Sequence, residues 1–265
     1  MSNSRDIIRQ VTVVVSAVLG IIGVLSGSGA LGGQPTSEVA GGALSADATP
    51  IAPAGPAFSV WSVIYIGLIA YTIWQALPKQ RADERQRRLG YPIAASLLLN
   101  AAWLLSTQAD LLALSVPVIV VLLAVLVWAF RICATIPSRS FVETVVVDGT
   151  MGLYLGWVSV ATAANIAAFL TAAGFDGFGI SLDVWAVVVL AVAGAVGIRI
   201  ALYGRGRFAP TIALCWGLAW VAVGRLTGEL ISVPAAVTAL IAVVAVIAVT
   251  LVSRVGSRKT EAVRA

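Results

Sequence analysis

Apolar residues gather along this chain in eight long stretches, at roughly 8–27, 57–77, 91–108, 112–132, 144–170, 183–203, 209–226 and 233–253. Each approaches the roughly 20 residues that an α-helix needs to cross a bilayer. Lipid admits only helices or closed barrels, because every backbone polar group must be satisfied internally. The stretches lack the alternation of apolar and polar positions that marks barrel strands. They are therefore predicted to be eight transmembrane helices, numbered one to eight. The first could be taken for a signal peptide, since Arg5 and Arg9 precede or enter it and "SGSGALGG" follows. The apolar run from Ile7 to Leu25 is long for such a segment, and it is read as a retained span.

Composition agrees with this pattern. The chain is 60% hydrophobic and 11% charged, with a mean hydropathy of +0.99, whereas soluble domains are about 25% charged. The predicted class is an all-α integral membrane protein. A sequence pI near 9.7 suggests nucleic-acid binding, but the positions of the charges argue for lipid instead. With eight spans, 16 of the 17 basic residues fall on one side: the amino end, the loops after helices two, four and six, and the carboxyl tail. Arg225 alone lies opposite, with Glu38, Asp47, Asp110, Asp176, Asp183 and Glu229. Basic loops mark the cytoplasmic side and meet anionic lipid. The protein is thus expected in a plasma membrane of bacterial type with both termini in the cytoplasm, and no nucleic-acid partner is expected.

The chain has no histidine. That excludes His-ligated metals and haem, and nucleophile–histidine catalysis. Cys133 and Cys215 lie in or beside apolar runs and form no disulfide or metal framework. Candidate chemistry rests instead on aromatic and amide groups. Trp61, Tyr65, Leu68 and Thr72 share one face of helix two. Asn100 and Trp103 neighbour each other on helix three, and Tyr154, Trp157, Ala161 and Asn165 share a face of helix five. Asn100 and Asn165 lie deep in apolar runs, where an amide needs a partner. Two readings stay open: hydrogen-bonded glue between helices, or the polar points of an aromatic-lined ligand pocket. Asp148, near the cytoplasmic start of helix five, is expected to pair with Arg131, Arg139 or Arg199, with proton coupling as the rival role. Arg225 and Glu229 are expected to pair locally. Gly194, Gly197, Gly217, Gly224 and Gly228 suit close helix packing. The basic stretch 78–90 reads as a solvated loop.

Three of these stretches carry a family resemblance. "GPAFSVWSVIYIGLIAYTIW" (Gly55–Trp74), "LLLNAAW" (Leu97–Trp103) and "YLGWVSVATAAN" (Tyr154–Asn165) resemble, in order, the helix-two, helix-three and helix-five motifs of the translocator protein/tryptophan-rich sensory protein (TspO/MBR) family. The resemblance covers residues 8–170 and implies a five-helix bundle, residues 1–175, followed by a three-helix extension, residues 176–265. It implies a porphyrin-like ligand in a pocket lined by Trp61, Asn100, Trp157 and Ala161 and supported by Tyr65, Trp103, Thr162 and Asn165. The Gly-, Ala-, Ser- and Pro-rich segment 28–56 would be its lid. No cofactor is required, and a haem could enter as ligand only without histidine ligation. A homodimer is compatible with the family. Departures are a longer spacing from Pro56 to Trp61, Leu153 where a proline often stands, and no sterol-recognition pattern after Asn165. The expected function is binding, with transport or sensing, of a flat apolar metabolite. The alternatives are light-dependent porphyrin degradation and a proton-coupled permease using Asp148.

Overall fold

The computed structural model describes residues 4–29, 34 and 38–264. The lid expected at 28–56 lies partly outside them, at residues 30–33 and 35–37. All eight predicted spans are helices: α1 Ser4–Gly27, α2 Gly55–Ala76, α3 Glu84–Gln108, α4 Leu112–Thr135, α5 Phe141–Ala172, α6 Leu182–Tyr203, α7 Phe208–Thr227 and α8 Val233–Ser257, the last continuing to Arg264. No strand occurs among the described residues. The protein is an all-α, multi-pass integral membrane protein.

Local chemistry sets the helix ends. Asp83 caps α3 by accepting from the Gln86 amide at 2.9 Å, and Ser140 caps α5 by accepting from Glu143 at 3.1 Å. Ser232 caps α8, accepting from the Ala235 amide at 3.3 Å while its hydroxyl donates to Asp183 at 2.5 Å. Each cap satisfies a backbone donor that the first helical turn leaves open. The first turn of α2, Gly55–Ser59, is a 3-10 turn led by Pro56. Early in α5, Thr144–Gly149 is π-helical, a local widening that shifts the following residues around the helix axis.

The chain packs as two units. The first contains residues 1–41 and 61–151. Here α1 lies along α3 with glycines at the seam. A Cβ on Gly23 would come within 2.5 Å of the Ala101 Cβ, and one on Gly27 within 2.7 Å of the Leu104 Cβ. Such spacing of small residues lets backbones approach closely, which is how helices gain packing energy in lipid. Gly67 of α2 leaves space in the same way for Thr150.

The second unit contains residues 42–60 and 152–265. Its core holds Val160, Leu190, Leu214, Leu218, Val221 and Val246. Gly194 and Gly197 of α6 face Ala242 and Val246 of α8, and Gly217 of α7 faces Val160 of α5. These three glycines do pack against helices. Gly224 and Gly228 differ: they face Ala54 and Asp47 of the outer segment, so this pair admits a loop and no second helix. The α6–α7 turn uses Gly206 at φ +73°, where a side chain would collide with the α8 backbone at Thr250 and Arg254.

Candidate functional site

In the first unit, α2 and α3 bring three of the expected residues together. The Trp61 ring stacks on the Tyr65 ring at 5.2 Å and an interplanar angle of 15°, the contact that an i, i+4 spacing allows. The Asn100 amide donates to the Tyr65 hydroxyl at 3.0 Å. Asn100 is 2% exposed, and its Oδ1 meets no donor of the protein. Trp61 and Tyr65 are half-buried. The cluster thus combines a partly open aromatic surface with a buried carbonyl that retains acceptor capacity. Trp103 is buried on α3, one turn beyond Asn100.

In the second unit, Trp157 is 1% exposed and meets the half-open Phe58 edge-on, at 5.6 Å and 77°. Asn165 and Thr162 are buried, with the Thr162 hydroxyl bonded to the Val158 carbonyl, and Ala161 is half-buried. Phe58 was not singled out from the sequence, although it lies within the first quoted motif; its role follows from the turn that starts α2.

The outer segment 42–60 is not a loose loop. Its main chain is tied to α7 at three levels. Trp216 Nε1 donates to the Ala57 carbonyl at 2.9 Å, the Ala54 amide donates to the Trp220 carbonyl at 3.1 Å, and Arg225 Nη2 donates to the Ala46 carbonyl at 2.5 Å. Asp47 Oδ1 lies 3.3 Å from Arg225 Nη2 and accepts from the Leu230 amide at 3.4 Å. Ile51, Ala52 and Thr49 are buried. Arg225 therefore engages the outer segment instead of pairing with Glu229. A reaching arginine gains a carbonyl and a carboxylate there, whereas Glu229 is exposed.

The basic ends of the first unit also depart from expectation. Arg85 is 1% exposed and donates to Glu143 at 2.8 Å and to Asp148 at 2.5 Å. Asp148 is thus paired with Arg85 of α3, not with Arg131, Arg139 or Arg199. The π-helical turn carries Asp148 on the same stretch of α5 as Glu143. Gln86 extends the network, donating to Glu143 at 3.3 Å and accepting from the Tyr71 hydroxyl at 3.2 Å. Arg9 of α1 is 2% exposed and donates to the Gln80, Arg81 and Gln86 carbonyls, each at 3.2 Å. The stretch 78–90 is consequently not wholly solvated: α3 begins at Glu84, and Arg85 and Gln86 are interior residues. A charge in such surroundings requires partners on all sides, and here they come from three helices and a loop.

No group of three or more His, Cys, Asp or Glu suited to hold a metal ion occurs among the described residues. An apolar groove of about 430 Å³ runs along α1, lined by Ile7, Ile8, Val11, Val15, Leu19 and Leu98. Its chemistry is that of a lipid-facing surface.

A search of curated proteins and of solved structures finds no match. The family model described as "TSPO-like protein" matches residues 9–252. The match reaches into all eight spans, so it takes in α6, α7 and most of α8, which the motif resemblance had left without a counterpart. On the strength of that match, eight spans and ordered motifs included, the chain belongs to the family of TSPO-like proteins.

Proposed function

We propose that the protein binds a flat apolar metabolite of the porphyrin class within the membrane, as a carrier or sensor, with both termini in the cytoplasm of a bacterial cell. The observation that carries this reading is the cluster of Trp61, Tyr65 and Asn100. Stacked aromatic rings offer a flat ligand dispersion and offset-stacking surface. The buried Asn100 Oδ1, which takes no donor from the protein, offers a hydrogen bond acceptor to an N–H of a tetrapyrrole. An apolar wall with one or two convergent polar groups is the usual form of a small-molecule site. Trp103 extends this wall in the proposal. Trp157, Ala161 and Asn165 are candidate ligand contacts through the family resemblance alone. No cofactor is needed for binding, and a haem would be held without histidine.

The test is a titration of the purified protein in detergent with protoporphyrin IX, followed by quenching of tryptophan fluorescence. Saturable binding is expected, weakened about tenfold by Asn100→Ala, the scale of one lost buried hydrogen bond. Trp157→Ala is expected to weaken it similarly through lost aromatic area. Unchanged affinity in both variants would remove the proposed site.

A further inference from the structure

We propose that the end of the second unit that carries the α6–α7 turn holds the phosphate of an anionic phospholipid between Arg205 and Arg254, with its acyl chains along the neighbouring helix surface. This stands independently of the porphyrin reading. Residues 184–228 and 230–257 contain no Asp or Glu, yet Arg199, Arg205, Arg207 and Arg254 gather at one end of α6, α7 and α8. In the first unit, by contrast, Arg85, Arg87, Arg88 and Arg139 each meet a carboxylate. Neither Arg205 nor Arg254 pairs with a carboxylate among the described residues.

The turn brings these two arginines together. Gly206 lies so close to α8 that a Cβ on it would come within 2.4 Å of the Arg254 amide nitrogen and 2.7 Å of the Arg254 Cα. Arg205 is the next residue in the chain, about 3.8 Å away from Cα to Cα. It is exposed and sits at φ +53°, a backbone region that side chains with a Cβ rarely adopt and that is usually left to Gly or Asn. Arg254 is half-buried, and its guanidinium lies 5.9 Å over the Phe208 ring. That cation–π contact steadies the side chain without neutralising it. Orientation in the membrane asks only for basic residues on one side. It requires neither a charge at this left-handed position nor a seat on an aromatic ring.

The surroundings favour a lipid over a soluble anion. Arg254 stands in the last turn of the apolar span Val233–Ser257, where a long side chain reaches the level of the headgroups. Leu202, Phe208, Leu251 and Val255, on either side of the two arginines in the chain, are all exposed, so apolar helix surface borders the charges. Guanidinium groups present their N–H donors in planar forks that match phosphate oxygens. Basic pockets between transmembrane helices are a recurrent way of binding acidic headgroups.

The test is native mass spectrometry of the full chain, released from detergent that contains equimolar dioleoyl phosphatidylglycerol and dioleoyl phosphatidylcholine. The parent should retain one phosphatidylglycerol with about tenfold preference, the scale of two basic residues at a membrane surface. Arg205→Asn, which places a residue tolerant of the left-handed conformation there, and Arg254→Gln should each lower that preference about threefold or more. Arg88→Gln, at an exposed arginine already paired with Glu84, should leave it unchanged. A parent without preference overturns the proposal. So does a preference that survives both Arg205→Asn and Arg254→Gln, or one that Arg88→Gln weakens equally, because the basic residues then act only as a diffuse charge. Displacement of the phosphatidylglycerol by excess inorganic phosphate at constant ionic strength assigns the site to a soluble anion and overturns the lipid reading.

Discussion

Replacing Arg85 by alanine would leave Glu143 and Asp148 buried without their common counter-charge. The two carboxylates are 4% and 7% exposed, and Arg85 bridges them at 2.8 and 2.5 Å. Breaking a buried pair by deleting one partner costs about 3–5 kcal/mol, because the remaining charge stays desolvated. Part of this is recovered if Glu143 keeps its bonds from the Arg139 amide at 2.9 Å and from Gln86 at 3.3 Å. For a chain of this size a loss of that order lowers Tm by roughly 10 °C. The assay is thermal unfolding in detergent, followed by labelling of Cys133 and Cys215, which are both buried thiols outside any disulfide in the folded protein. Removing charge on both sides should hurt less: Arg85→Met with Asp148→Asn and Glu143→Gln leaves no unpaired ion, and should regain at least half of the loss. A Tm for Arg85→Ala within 2 °C of the parent, or a triple variant no better than the single one, would refute the reasoning.

Other outcomes follow from the packing and from the outer segment. Gly23→Leu forces side-chain atoms into Ala101 and should destabilise by about 1–3 kcal/mol or more through overpacking, read as a lower Tm; the same change at Gly55, where a Cβ meets nothing within 4 Å, should cost clearly less. Phe58→Ala deletes the edge-on contact with Trp157, worth about 0.5–1.5 kcal/mol beyond area, and should shift the emission of the parent's tryptophans as well as Tm. Trp216→Phe removes the donor to the Ala57 carbonyl and should speed hydrogen exchange across 46–57, most clearly at the Ala54 amide; unchanged exchange there would contradict the tie between this segment and α7.

The spans were legible because hydropathy along a helix needs no knowledge of its neighbours. Helix boundaries agree closely at Leu112 and Val233, where apolar runs start abruptly. The ordered motifs also located the family; spacing placed Trp61 and Tyr65 on one face of helix two, whereas their meeting with Asn100 was implied by the resemblance alone. The fate of individual charges was not legible. Arg9, Arg85 and Arg225 each stand near a span end, where snorkelling and burial give the same local pattern. Their partners lie far along the chain: Glu143 is 58 residues from Arg85, and Ala46 is 179 from Arg225. The fastening of the segment 42–60 was hidden for a different reason. Its Gly-, Ala- and Pro-rich composition resembles a flexible lid, but the bonds that fasten Ala46, Ala54 and Ala57 use main-chain groups, which every residue carries. Gly224 and Gly228 reproduced a helix-packing spacing, although the residues that approach them, Ala54 and the Asp47 side chain, belong to the segment 42–60.

The most direct test of the central claim is a structure of the protein bound to protoporphyrin IX in a lipid nanodisc. The account predicts the macrocycle against the Trp61 and Tyr65 rings, with a ring nitrogen within hydrogen-bond distance of Asn100 Oδ1. A macrocycle found only in the groove along α1, against Ile8, Val11 and Val15, with Asn100 untouched, would contradict it.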